Sequence, residues 1–167
     1  ALPVINQLFH TDPEPSARTA ALRTIATLGG VEHFEEMDDY LTGGDLLLRQ
    51  SVMVGLLRNG ELESILAVGG SLTGLVNSAL AAERGLAAQV LGESGLANFY
   101  RPLLKLLYDP EPQVQRAALL AAGKLQQPKL WPMVCAQLAA PHTRSAAQRA
   151  LVAAGDAALP ALQSALA

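Results

Sequence analysis

Apolar positions in this chain recur with the period of a helix that buries one face. Between Asp109 and Leu138, Val114, Ala117, Ala118, Ala121, Ala122 and Leu125 fall at i, i+3, i+4, i+7, i+8 and i+11, which predicts an amphipathic helix. Asp109 is read as its cap, with Pro110 and Pro112 in a first turn that tolerates a missing N–H. Most of the stripe is alanine, so neighbouring helices can approach closely, and packing on more than one side is expected. After Gln126-Gln127-Pro128, a second apolar pattern runs through Leu130, Trp131, Met133, Val134 and Leu138. The stretch predicts a helix, a turn and a return helix.

That unit recurs. Asp-Pro-Glu-Pro stands at Asp12 to Pro15 and again at Asp109 to Pro112, and Ala21, Val52, Ala87, Ala118 and Ala150 form one column. Four residues on, the column reads Ile25, Leu56, Leu91, Ala122 and Ala154; one further, Ala26, Leu57, Gly92, Gly123 and Gly155. Three residues earlier it reads Arg18, Arg49, Arg84, Gln115 and Ala147. A period near 32 residues built from two short helices predicts an all-α fold, an α-α superhelix or α-solenoid of about five helix pairs. The pairs are Pro15 to Leu28 with Val31 to Leu41, Asp45 to Arg58 with Leu62 to Val76, Ala79 to Gly92 with Ala97 to Tyr108, the Asp109 unit, and Thr143 to Ala154 with Ala157 to Leu166. A leading half repeat, Ala1 to His10, precedes them. Gly69-Gly70 is expected to bend or interrupt the long second return helix. Ala87 and Ala118 should be buried at helix contacts.

These residues resemble the HEAT-like repeats, including the lyase-type HEAT-like subset. The resemblance rests on the Asp109 to Leu125, Asp12 to Leu22 and Glu83 to Gly95 segments, and is loosest between Gly30 and Asn77. It implies a ladder in which an Asp opening the first helix and an Arg six residues later link neighbouring repeats. Asp12 and Arg18 fit this; Gln115 replaces the Arg after Asp109, Gly43 stands where an Asp would precede Arg49, and Ala147 ends the column. The resemblance also places the second helices on a concave face.

Composition narrows function. Half of the 167 residues are apolar and aromatics are scarce, which suits close helix packing in a single repeat domain. The net charge of −3 is unevenly spread: ten acidic and four basic residues up to Glu63, five acidic and eight basic after it. The chain is thus polarised from acidic to basic. Single Cys135 rules out an intrachain disulfide and reads as a buried thiol. Ser64 to Ala82 carries no charge, yet its glycines and hydroxyl residues argue against a membrane span. The start at Ala1, the unpaired first helix and the apolar finish are read as marks of a segment of a larger protein with neighbouring domains.

No catalytic constellation emerges. His10, His33 and His142 lie far apart without metal-ligand neighbours, so neither a metal nor a cofactor is expected. Gly70 to Gly74 lacks the lysine of a phosphate loop. Glu32, Glu35, Glu36, Asp38 and Asp39 form an acidic patch on the first return helix, read as a solvated face or a surface for a basic partner. The candidate recognition stripe is Asn98, Arg101, Lys105 and Tyr108, opposite Phe99, Leu103, Leu106 and Leu107, and the resemblance puts it on the concave face near Lys129. Trp131 and Tyr100 are read as core or rim. The expected function is a non-catalytic scaffold that binds a protein or peptide, acidic or phosphate-bearing, in the cytoplasm. The alternative is a regulatory HEAT-like part of a bacterial transporter, which Phe99 to Pro112 resembles. A bilin lyase or DNA glycosylase is a weaker analogy, because an acidic chain lacks the basic groove nucleic acid requires.

Overall fold

The computed structural model describes residues 2–29, 34–43 and 45–166, with residues 34–36 and 166 by backbone alone. Every regular element among them is helical. In chain order these are α1 (Leu2–Thr11), α2 (Pro15–Gly29), α3 (Phe34–Thr42), α4 (Leu46–Asn59), α5 (Leu62–Val76), α6 (Ala81–Ser94), α7 (Tyr100–Leu107), α8 (Pro112–Leu125), α9 (Trp131–Ala136), α10 (Arg144–Ala154) and α11 (Leu159–Leu166). Short 3-10 turns at Ala97–Phe99, Pro128–Leu130 and Gly155–Ala158 lead into α7, α9 and α11. The chain divides into two compact units, Ala1–Gly74 and Leu75–Ala167.

In the first unit α2 packs on α1 and α4, and α3 rests on α2 and α4. Asp45 caps α4 by accepting from the N–H groups of Leu47 at 2.9 Å and Leu48 at 3.1 Å, which satisfies two donors that a helix start leaves open. From Gln50 to Leu57 every residue of α4 is buried. A helix buried all round must meet at least one neighbour at backbone distance. Gly55 supplies that: a Cβ there would lie 2.5 Å from the Ala26 Cβ and 2.6 Å from the Arg23 carbonyl oxygen on α2. Asn59 then ties the ends of the two helices by donating to the Thr27 carbonyl at 3.0 Å.

The second unit repeats this arrangement. Helices α6, α8 and α10 lie side by side, α7 packs on α6 and α8, and α9 packs on α10 and α11. Ala87 and Ala118 are fully buried, and α8 has neighbours on three sides, as its alanine stripe requires. The thiol of Cys135 is buried, and burial pushes its pKa up because the thiolate would be poorly solvated.

Three expectations are corrected. Helix α5 runs unbroken through Gly69 and Gly70. Its buried stripe, Ser64, Val68, Leu72, Leu75 and Val76, leaves both glycines off the contact face, where a Cβ would meet nothing within 4 Å. Second, Asp109 does not cap α8. The helix starts at Pro112, and Asp109 instead accepts from the Glu111 N–H at 3.0 Å while its carboxylate is held by Arg84. Asp12 makes the same turn to Glu14 at 2.8 Å, so the repeated tetrapeptide is a turn ahead of a helix, with its second proline at the first helical position. Third, the return helices of the second unit start later than the apolar pattern suggests. Each is entered through a 3-10 turn and carries a proline in its first turn, at Pro102, Pro132 and Pro160, where a missing N–H costs nothing. Residues 30–33, which include the expected start of the first return helix, lie outside the described residues.

Candidate functional site

The site is built on the turns that precede α7 and α9. Gln127 donates to the Ala97 carbonyl oxygen at 3.3 Å, which sets the second turn against the first. Lys129, on that second turn, then reaches the Tyr100 hydroxyl at 3.2 Å and lies 4.9 Å from the centre of its ring, within range of a cation–π interaction. The neighbouring Arg101 guanidinium acts on the same phenol and favours its ionised form. Two cations thus converge on one phenol. Arg101 first, and then Lys129, hold the Tyr100 pKa below the ordinary tyrosine value against a smaller opposing effect of burial.

Tyr100 is half-buried, whereas Arg101 and Lys129 are exposed and have no carboxylate partner among the described residues. Their positive charge therefore faces solvent. Donors of this kind, a planar fork, an ammonium and a hydroxyl within one side chain's reach, suit an oxyanion. Nothing in the cluster pairs a nucleophile with a base.

The candidate stripe on α7 divides. Leu103, Leu106 and Leu107 are buried and Asn98, Arg101, Lys105 and Tyr108 are exposed, while Phe99, expected on the apolar face, is only half-buried in the 3-10 turn. Arg101 joins Tyr100 and Lys129. Lys105 does not: its ammonium donates to Asn77 Oδ1 at 2.5 Å, and its charge acts on Asp109. Asn98 lies in the 3-10 turn and Tyr108 at the C-terminal end of α7. Of the acidic patch, Asp38 and Asp39 are exposed on α3, Glu32 lies outside the described residues, and so do the side chains of Glu35 and Glu36.

Sequence reasoning misses Tyr100 as a participant because an aromatic beside a turn reads as core or rim. A signal is present, since Lys129 stands one repeat after Asn98, two residues before Tyr100, so columns place the two turns together. Trp131, one repeat after Tyr100, is core and 1 % exposed. Its indole N–H is buried without a hydrogen-bond partner among the described residues.

A second set of contacts links successive helix pairs of this unit. Arg84 makes a two-pronged pair with Asp109, Nε to Oδ2 at 2.6 Å and Nη2 to Oδ1 at 2.9 Å, and its Nη1 donates to the carbonyls of Ser78 and Ala79. Gln115, its column mate, donates to the carbonyl of Asp109 at 2.7 Å and bonds His142 at 3.0 Å. The ladder therefore continues in neutral form past the missing arginine. At Ala147 it ends, and Thr143 and Arg144 take over the turn by bonding the carbonyls of Gln137 and Leu138.

Titration reports the cluster directly. In a Tyr40→Phe, Tyr108→Phe background, the tyrosinate absorbance of Tyr100 is expected to appear below the ordinary midpoint of about 10. Arg101→Gln with Lys129→Gln should move it back up. The depressed pKa means that the folded state gains stability as pH rises through the Tyr100 transition and loses it as pH falls, so the gain is confined to alkaline conditions.

No helix among the described residues is long and apolar enough to cross a membrane. No family model matches the chain, and no curated protein matches it either.

Proposed function

We propose that the chain is a non-catalytic α-solenoid of HEAT-like type that binds an acidic or phosphorylated peptide at Tyr100, Arg101 and Lys129. The observation that carries this reading is Lys129 on the Tyr100 hydroxyl and ring beside the exposed Arg101, both cations acting on that phenol with no carboxylate among the described residues to neutralise them. A phosphate or carboxylate there would take charge-assisted hydrogen bonds from both cations, and would replace the phenol as the acceptor of Lys129. The solenoid part of the proposal draws on the side-by-side packing of α6, α8 and α10 and on the Arg84–Asp109 and Gln115–His142 links. Stacked repeats of this kind offer extended surfaces without a catalytic pocket.

The test is fluorescence anisotropy with a labelled phosphoserine peptide and its unphosphorylated counterpart. The phosphorylated peptide should bind more tightly, and its affinity should fall with added salt, because exposed charges are screened. Arg101→Glu with Lys129→Glu should abolish the difference while leaving the melting temperature unchanged, since exposed charges usually move stability by less than about 0.5 kcal/mol. Equal affinity for both peptides, or full binding by the double variant, would remove this site from consideration.

A further inference from the structure

A second surface of the Leu75–Ala167 unit carries charge that the Tyr100 cluster does not use. A groove of about 600 Å³ runs over α8 between α6 and α10. Arg116, Leu120 and Lys124 follow one another at four-residue spacing along α8, and Arg149 approaches from α10. At 1.5 Å per residue, the cations at the ends of that row are separated by about 12 Å along the helix axis. Leu120, midway between them, is 38 % exposed, although large apolar residues on α8 are otherwise buried. Arg149 makes no hydrogen bond or ion pair among the described residues. Arg116 has only a long bond to the His142 carbonyl, 3.4 Å.

The groove also contains a carboxylate, and its placement bears on the occupant. Glu93 of α6 lies 3.6 Å from the Lys124 ammonium, whose side chain remains 58 % exposed. With Glu93 counted, the groove keeps a charge of two positive units. An apolar midpoint flanked by cations, with one largely buried carboxylate beside Lys124, disfavours a continuous phosphate backbone, which would meet Glu93 and gain nothing from Leu120. No aromatic side chain lines it to stack a base.

We infer that this groove docks an acidic amphipathic helix of a partner protein, one with an apolar side chain midway between two carboxylates eight residues apart. Such a helix has the same rise as α8, so its carboxylates meet Arg116 and Lys124 while its apolar residue covers Leu120 and the alanines beside it. Arg149 receives a carboxylate from the flank. Glu93 sets an upper limit on affinity, because it holds part of the Lys124 charge and repels the incoming acids. The inference uses none of the residues of the Tyr100 cluster, so either site can fail without the other.

The experiment uses the full chain and a labelled alanine-rich helical peptide with glutamate, leucine and glutamate at that spacing. A second peptide has lysines in place of the glutamates, and a third probe is a single-stranded oligonucleotide. The glutamate peptide should bind at low salt and the lysine peptide should not. Arg116→Glu with Arg149→Glu should weaken binding by at least tenfold, and Leu120→Ser should weaken it severalfold. Glu93→Gln should tighten it severalfold, a gain that no misfolded variant can mimic. The effects of Leu120→Ser and Glu93→Gln should persist in an Arg101→Glu, Lys129→Glu background. Absence of peptide binding, indifference to Glu93→Gln, or preference for the oligonucleotide would overturn the inference.

Discussion

Asp109→Ala should lower the melting temperature by roughly 3 to 12 °C, from a loss of about 1.5 to 3 kcal/mol for hydrogen bonds to a charged group and the usual shift of about 2 to 4 °C per kcal/mol in chains of this size. The carboxylate is 6 % exposed and is held by two guanidinium nitrogens and the Glu111 N–H. Removing it leaves the Arg84 fork without a counter-charge between α6 and the turn before α8, and the cost of such an orphan exceeds the worth of the pair itself. Arg84→Lys should not rescue the pair. An ammonium is a point donor, whereas Arg84 uses Nε and Nη2 on Asp109 and Nη1 on the Ser78 and Ala79 carbonyls.

The pH dependence of that loss follows from the same contacts. The Arg84 hydrogen bond, supported by the Glu111 N–H and the nearby positive charges, holds the Asp109 pKa below the ordinary carboxylate value. Its stabilisation is therefore complete above the unfolded-state value of about 4 and fades as pH falls through the lower folded value. Chemical denaturation of the parent and of Asp109→Ala across this range should show the two curves converging at acid pH. A constant gap down to strongly acidic conditions would mean that shape, not charge, sets the contribution of Asp109.

Gly92→Ala should destabilise the chain by about 1 to 2 kcal/mol, the overpacking cost of a methyl group less the helix-propensity gain. A Cβ at Gly92 would lie 2.6 Å from the Ala121 Cα and 2.7 Å from its Cβ, and a backbone atom of a packed helix has little room to move. Gly85, on the same helix, is the matched control. Its Cβ would meet nothing within 4 Å, so Gly85→Ala should stabilise by roughly 0.5 to 1 kcal/mol. Gly123→Ala falls between, with Ala150 Cα at 2.9 Å. Adding Ala121→Gly to Gly92→Ala should restore part of the loss, since it removes the methyl group at Ala121 and leaves the crowding against the backbone. The order is read from urea midpoints, and a Gly92→Ala protein as stable as the parent would show that α6 and α8 separate at no cost.

The glycine results also show how far the columns carry. Gly92 and Gly123 share a column in the sequence, and both prove to be places where the next helix sits at backbone distance. A column of small residues follows from repetition alone, because each repeat must accept the same neighbour. Gly85, Gly69 and Gly70 look no different along the chain, yet they face open space. Similarly, Gly60 and Gly95 end their helices in the left-handed region, and Gln126 follows them there with φ of 51°, its side chain donating to the Ala153 carbonyl at 3.0 Å. The glutamine that takes the glycine position thus reaches an acceptor 27 residues away, a contact that no local pattern announces.

The sequence by itself determined the helical content, the unit of two helices, the buried alanine columns and the exposed side of α7, because each depends on periods shorter than one repeat or on the repeat itself. Only the tertiary structure decided which cations act together. Arg101 and Lys105 share one face of one helix, but a long side chain answers to what lies within its reach: Lys105 donates to Asn77, while the charge of Arg101 acts on Tyr100. For the same reason Asp109 reads as a helix cap and acts as a counter-ion: a carboxylate ahead of a helix can serve either use, and the guanidinium that selects between them arrives from 25 residues earlier in the chain.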